Sequence, residues 1–231
     1  MSLKEEKTKK KTKKPKTHFW FDFVKITGGL PTLLFLRPKV LCIGNKKSHK
    51  IKDGVLISSN HTSYLDPVLM LCVFWRRRVH FLATKDLYRS KFGNWFFTQM
   101  HCIMVDKENF SMQSLHQVRD DLKKDYAVLI FPEGEVNREK QEMLHFKAGA
   151  VLMAHMSNKP ILPVYIVKPK KWWHRRKVVV GDPIDVRALC GAIPSMDKME
   201  KASEFLREKE MELMEYYQNY QSGKEKKNAK K

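Results

Sequence analysis

The sequence predicts an α/β protein built on a mixed, mainly parallel sheet flanked by helices. Short apolar runs alternate with helical patterns over residues 39–222, which we assign to one domain. Most of these runs are continuously apolar, as is typical of strands buried on both faces of a parallel sheet. With 231 residues, 42% of them hydrophobic, the chain can form a sizeable core. Fibrous and wholly disordered classes are therefore excluded.

Strands and helices follow one another in a regular order along this region. Seven strands are predicted from short apolar runs bounded by polar or turn residues: 40–43, 55–58, 79–83, 103–105, 127–131, 161–167 and 177–180. Four helices are predicted between them: 67–75, 90–98, 111–124 and 146–157. A long terminal helix is predicted over residues 199–220, where apolar side chains recur at helical spacing between charges.

Residues 19–38 precede the first strand and carry two apolar stretches, separated by a break at residues 28–31. Glycine and proline at this break predict a helical hairpin or a broken helix. The segment either packs on the core or docks at a membrane interface, which Trp20 and the neighbouring lysines favour. Because Asp22 and Lys25 interrupt the apolar run, we expect the segment to lie on a membrane rather than to cross it.

The chain is strongly basic, with 45 Lys and Arg against 25 Asp and Glu, a net charge of +20. Half of this excess positive charge lies in two basic tails, residues 1–18 and 223–231. We expect the first tail to be disordered. Such a charge predicts a polyanionic partner, with an anionic membrane surface as the favoured one. A non-enzymatic membrane-binding or nucleic-acid-binding module is the alternative. The body carries no helix-turn-helix, zinc-finger or RRM signature, so no specific nucleic acid is expected.

The cysteines give no sign of a structural cross-link. Cys42, Cys72, Cys102 and Cys190 are far apart and form no CxxC pair, so we expect neither a disulfide framework nor a zinc site. The Lys-rich start is not followed by the apolar region and cleavage site of a secretory signal. These features predict reduced thiols and an intracellular location.

A polar block at residues 60–67 follows the second predicted strand and carries His61 and Asp66. If the loop folds back, the carboxylate can fix the imidazole tautomer and leave the other ring nitrogen to take a proton from a hydroxyl. That hydroxyl would belong to a substrate. The alternative is that Asp66 caps a helix whose first turn contains Pro67.

A second block at residues 131–134 follows the strand at 127–131 and carries Glu133 and Gly134. Since ligands bind beyond the carboxyl ends of parallel strands, we expect this block and the His61 block to converge. Glu133 is placed to hydrogen-bond a polyol, and Gly134 permits close backbone approach. Arg138 and Lys147 are candidate phosphate ligands. The alternatives are a turn acid that caps the next segment and ordinary surface charges.

Five blocks taken together resemble the glycerolipid acyltransferases, the family that includes bacterial 1-acylglycerol-3-phosphate acyltransferase and other lysophospholipid acyltransferases. The blocks occur in the family's order at residues 60–67, 103–107, 131–134, 146–150 and 160–164. The resemblance covers about residues 40–185. It implies an enzyme of phospholipid biosynthesis, located peripherally on the cytoplasmic face of the membrane.

The resemblance also implies a reaction and a set of roles. An acyl group passes from acyl-CoA or an acyl-carrier-protein thioester to the free hydroxyl of 1-acylglycerol-3-phosphate and gives phosphatidate. No metal or redox cofactor takes part. His61 is then the general base and Asp66 orients it, while Glu133 and Gly134 help to bind the glycerol portion. Backbone N–H groups near the His61 loop are candidates to stabilise the oxyanion.

Two departures from the family pattern concern the acceptor. Lys107 stands where the family's second block has Arg, and Lys cannot form a bidentate contact with phosphate. The family's third block continues Thr-Arg-Ser, whereas here residues 135–138 displace the arginine to Arg138. Another lysophospholipid or glycerol-3-phosphate therefore stays open as the acceptor.

Overall fold

The computed structural model describes residues 18–45, 48–106, 111–137, 143–169, 171 and 174–228, the last five without their side chains. Lys107 and Arg138 lie outside the described residues. Residues 1–17 of the first tail and residues 229–231 of the second tail also lie outside them.

The described residues form one seven-stranded sheet, which confirms the predicted fold class. The strands are β1 (Lys39–Cys42), β2 (Val55–Ser59), β3 (Val79–Thr84), β4 (Ile103–Val105), β5 (Ala127–Ile130), β6 (Ile161–Val167) and β7 (Lys177–Val180). Their order across the sheet is β1-β7-β6-β2-β5-β3-β4. Within this sheet β6 and β7 pair antiparallel and the other neighbours pair in parallel.

Helices connect the strands and cover both faces of the sheet. They are α1 (Phe19–Thr27), α2 (Gly29–Leu36), α3 (Asp66–Val73), α4 (Lys91–Gln99), α5 (Met112–Lys123), α6 (Gly149–Ser157), α7 (Val186–Cys190) and α8 (Met196–Asn228). Short 3-10 helices occur at Ser48–Lys50 and Lys85–Tyr88. The serines before α4 and α5 cap these helices, since their side chains accept hydrogen bonds from Gly93 and Ser114 backbone N–H groups.

Three helices differ from the sequence prediction, and of these the terminal helix α8 is longer at both ends than the predicted 199–220. The prediction began α6 at residue 146, but the helix begins at Gly149 because the Lys147 N–H donates to the Pro132 carbonyl, 3.1 Å away. This bond ties the start of α6 to the Glu133 loop. The short helix α7 was not predicted, although Asp185 caps it by accepting hydrogen bonds from Arg187 and Ala188 N–H groups.

The core lies on both faces of the sheet, and β2 shows why its residues are continuously apolar. Leu56 packs with α5, α6 and α8, whereas Val55 and Ile57 pack with α3 on the opposite face. All three side chains are at most 1% exposed. The strand that carries the His61 loop is therefore held by two apolar layers.

The segment before β1 is a broken helix rather than a hairpin. Gly28, between α1 and α2, has right-handed helical dihedral angles, and its N–H donates to the Val24 carbonyl at 2.9 Å. Asp22 pairs with Arg78 at 2.8 Å, and Lys25 donates to the Arg77 carbonyl at 2.9 Å. The two charges that interrupt the apolar run therefore hold the segment on the domain.

Phe21 and Leu36 are the buried residues of the Phe19–Leu36 helix, and most of its other large apolar side chains are exposed. By length and composition alone this helix could cross a membrane. The expectation that it lies on a membrane rather than crossing it stays a prediction. The helix also touches α4, where the Trp20 and Trp95 ring centroids are 5.4 Å apart.

We expect Gly54→Ala to lower the free energy of unfolding by about 1–3 kcal/mol. Gly54 directly precedes β2 and lies beside the end of α5, and a Cβ at this position would lie 1.9 Å from the Leu122 carbonyl oxygen. Gly223→Ala is the control, because its Cβ would meet nothing within 4 Å and alanine favours the helix by about 1 kcal/mol. Urea denaturation measures both. A Gly54→Ala protein as stable as the parent would contradict this account.

Candidate active site

The structure brings His61 and Asp66 into contact at the loop between β2 and α3. His61 Nδ1 lies 3.0 Å from Asp66 Oδ2. The same oxygen accepts the backbone N–H groups of Thr62 at 2.6 Å and Ser63 at 2.7 Å. One carboxylate therefore closes the loop and orients the imidazole. The alternative role of Asp66 as a helix cap is not observed, because Leu65 occupies the cap position of α3 without a side-chain bond.

Glu133 holds the His61 backbone from the loop that follows the neighbouring strand β5. Its Oε1 accepts the His61 N–H at 3.0 Å, and its Oε2 accepts the Asn137 side-chain amide and the Leu144 N–H, both at 3.3 Å. In return, the Asn137 N–H donates to the His61 carbonyl at 2.7 Å. Glu133 is 5% exposed, and this burial raises its pKa despite the three donors. Through these bonds Glu133 positions the His61 loop.

The His61 ring is held on one face by an aromatic side chain. The Phe131 ring stacks on it with 4.0 Å between centroids and 13° between planes. With Asp66 at Nδ1 and Phe131 against one face, the ring has a fixed orientation. Its side chain keeps 14% of its surface exposed.

A second buried acid, Glu210 on α8, was not predicted from the sequence. Its side chain is completely buried, and the Ser58 hydroxyl donates to its Oε1 at 2.6 Å. Burial raises the pKa of Glu210 well above its ordinary value, and the nearby Glu133 carboxylate raises it further. Leu206 and Leu213 lie four residues before and three after it, and both are buried. That spacing places residue 210 on the apolar face of the helix. It was the one sequence signal that could have identified Glu210 as buried.

A cavity of about 1420 Å³ opens beside the His61 ring. His61, Gly134 and Lys147 line it, while Asp66 and Glu133 are buried at 3% and 5% exposure. Most of the lining is apolar and comes from the α1–α2 junction, α3, β3, α4 and α6. The cavity is therefore mainly apolar, and it has an imidazole that could accept a proton, His61, and a cation, Lys147, in its wall.

Gly134 has φ +75°, a conformation that favours glycine. A Cβ there would lie 3.3 Å from both Cε and Nζ of Lys147, so the lysine side chain runs against the Gly134 backbone. Of the candidate residues inside the described part of the chain, His61, Asp66, Glu133, Gly134 and Lys147 gather around one region, as the order of the strands requires.

Comparisons with known proteins show which family the sequence matches. The family model described as Acyltransferase matches residues 39–167. The 1-acyl-sn-glycerol-3-phosphate acyltransferase of Bacillus subtilis is 26% identical over 189 residues, covering 80% of this chain and 92% of that protein. The Streptococcus pneumoniae enzyme of the same name is 28% identical over 140 residues, covering 58% of this chain and 51% of that protein.

A solved structure shares the fold. The crystal structure of the 1-acyl-sn-glycerophosphate acyltransferase from Thermotoga maritima superposes with a TM-score of 0.61 at 19% identity. The superposition covers 85% of this chain and 79% of that one.

We expect Glu210→Gln to raise the free energy of unfolding at neutral pH and to leave it nearly unchanged near pH 4. The folded protein retains the Glu210 proton at pH values where the unfolded chain has lost it, because the folded pKa lies above the ordinary 4.5. This group's contribution to stability therefore falls as pH rises from about 4.5 through the raised pKa. Because glutamine cannot ionise, the increase in the free energy of unfolding of Glu210→Gln over the parent should grow with pH.

Urea denaturation across pH measures this difference. Glu212→Gln, an exposed position on the same helix, is the matched control and should show no such trend. A pH-independent difference for Glu210→Gln would contradict a carboxyl group held neutral by burial.

Proposed function

The chain belongs to the acyltransferase family, and we propose that it moves an acyl group from a thioester to the free hydroxyl of 1-acylglycerol-3-phosphate, giving phosphatidate. It is a glycerolipid O-acyltransferase by class. The observation that carries the proposal is the His61–Asp66 pair beside an apolar cavity. The names of the relatives support the acceptor.

His61 is the general base in this proposal. With Nδ1–H donated to Asp66, the Nε2 lone pair takes the proton of the acceptor hydroxyl as its oxygen attacks the thioester carbonyl. The carbon–sulfur bond then breaks, and the imidazolium returns the proton to the leaving thiolate. Asp66 stabilises the imidazolium in between. No acyl-enzyme forms, so no Ser or Cys nucleophile is required.

The backbone N–H groups that stabilise the oxyanion stay a prediction. The N–H groups of His61, Thr62 and Ser63 already donate to Glu133 and Asp66, so other N–H groups near the loop are the candidates. The bonds of His61, Thr62 and Ser63 instead fix the loop before substrate arrives, a form of preorganisation.

The cavity supplies space for the lipid part of the substrates. Its volume of about 1420 Å³ exceeds the roughly 300–1,000 Å³ of ordinary small-molecule pockets, which fits long acyl chains. Lys147, against Gly134, is placed to neutralise the acceptor phosphate. Arg138 and Lys107 stay candidates for the same task on the sequence argument alone.

We place the enzyme peripherally on the cytoplasmic face of the membrane, with acyl-CoA or an acyl-carrier protein as donor and without a cofactor in the reaction. The outward apolar surface of α1 and α2 supports membrane docking. Its large exposed side chains include Phe19, Phe23, Leu34 and Phe35, between 48% and 77% exposed. Trp20 and Trp95 add aromatic side chains of the kind that favour lipid interfaces.

We expect His61→Ala to lower kcat/KM about 10³-fold, since loss of a general base costs roughly 10²–10⁴ in rate. The assay combines purified protein, lysophosphatidate and either acyl-CoA or acyl-carrier-protein thioester. His116→Ala, an exposed histidine on α5, is the control and should retain parental activity. Equal turnover by His61→Ala and the parent would contradict the role of His61.

An acceptor panel tests the substrate separately from the mechanism. Glycerol-3-phosphate and other lysophospholipids are offered beside lysophosphatidate, and the lipid products are identified. Preference for another acceptor would contradict the phosphatidate assignment.

We expect Phe19→Ser with Leu34→Ser to weaken binding to anionic phospholipid vesicles about tenfold or more, because each loses a large apolar side chain that would enter the interface. Neither residue lines the cavity, so turnover of water-soluble short-chain substrates should persist. Met112→Ser, on α5 at the opposite face of the sheet, is the control. Vesicle co-sedimentation measures binding, and unchanged binding of the double variant would contradict docking through α1 and α2.

A further inference from the structure

Three histidines that are far apart in sequence meet at the start of α1. His18 directly precedes that helix, His80 lies in β3, and His101 lies in the turn before β4. One ring nitrogen from each of the three lies within 4.8 Å of the other two. His80 and His101 are 1% and 5% exposed, and His18 is half-buried. None of these side chains lines the cavity beside His61.

Two of the rings are oriented by neighbouring polar groups. His80 Nδ1 lies 2.9 Å from Asp121 Oδ2, with both side chains at most 3% exposed. His18 Nε2 lies 3.0 Å from the Tyr126 hydroxyl. The remaining nitrogens, His80 Nε2 and His18 Nδ1, are buried and have no hydrogen-bond partner among the described residues. Buried polar atoms in this state are costly unless a ligand satisfies them.

We propose that His18, His80 and His101 bind one divalent transition-metal ion, with Zn²⁺ as the best fit. Three imidazoles are a familiar ligand set for zinc and leave a fourth position for water, whereas Mg²⁺ and Ca²⁺ prefer oxygen ligands. The Asp121–His80 contact has the form of the carboxylate–histidine pairs that orient metal ligands.

The charges around the cluster are balanced in a way that permits a cation. Asp121 is in contact with His80, and Asp22 pairs with Arg78, the cation near His18.

Binding of one ion would require the three rings to turn from their present arrangement. The three ring planes lie within 28° of parallel, and their centroids are 4.2–6.1 Å apart. A tetrahedral ion with bonds of about 2.0–2.1 Å places its nitrogens about 3.3 Å from one another. Rotation about χ2, a broad torsion in histidine, is the movement that would bring the nitrogens together. A bound ion would tie the first residue of the N-terminal helix to β3 and to the turn before β4.

Metal binding by the full-length chain, freed of metal by a chelator, tests the proposal. Zn²⁺ titration by calorimetry should give one ion per chain with a micromolar or lower Kd, and Co²⁺ should give the visible bands of tetrahedral coordination. His80→Ala and His101→Ala should weaken binding at least 100-fold. Asp121→Asn should weaken it about tenfold, as second-layer substitutions do.

Two controls separate this cluster from other ligands in the chain. His116→Ala removes an exposed histidine from α5. His49→Ala removes the neighbour of Cys42, whose sulfur is 3.2 Å from the His49 ring and could also attract zinc. Both control variants should bind as the parent does.

Of the three histidine variants, His18→Ala is the one least expected to disturb folding, because His18 lies at the edge of the cluster and is only half-buried. It should lose at least tenfold in affinity, and Zn²⁺ should raise the parent's Tm by about 5 °C more than that of His18→Ala. Absence of one-to-one binding by the parent, or unchanged binding by folded His18→Ala, would overturn the proposal.

Discussion

Two buried carboxylates determine the shape of the His61 loop. A carboxylate removed from water must accept several hydrogen bonds, and here Asp66 takes two backbone N–H groups and the imidazole while Glu133 takes the His61 N–H. The same bonds that compensate the burial of these acids fix the ring that faces the cavity. Under the proposed mechanism, the stability of the loop and the orientation of its base therefore have a common origin.

The sheet makes this arrangement possible. β2 and β5 are parallel neighbours, with Ser58 opposite Ile130, so the chain leaves both strands at the same edge. His61 and Glu133 thus meet although 72 residues separate them. Behind them, Ser58 binds Glu210 from α8, which places a third acid against the base of the loop. The long terminal helix therefore supports the site as well as the core.

Local patterns predicted most of the fold, because each strand is a short apolar run between turn residues. The convergence of His61, Asp66 and Glu133 was also predicted, from the position of both blocks at the carboxyl ends of strands and from the family motifs. Glu210 and the histidine cluster were missed, since a charged residue in a long helix and histidines at 18, 80 and 101 become neighbours only through tertiary packing. The start of α6 was misplaced because the contact between Lys147 and Pro132 is likewise not local.

The central claim is that Asp66 holds the neutral His61 ring with its proton on Nδ1, leaving Nε2 to accept a proton. Nitrogen-15 NMR of the histidine side chains measures this directly, with His61→Ala assigning the signal. The account predicts the Nδ1–H form for His61 and a shift toward the Nε2–H form in Asp66→Asn. A predominant Nε2–H form in the parent protein would contradict it, because no lone pair would then remain to take the acceptor's proton.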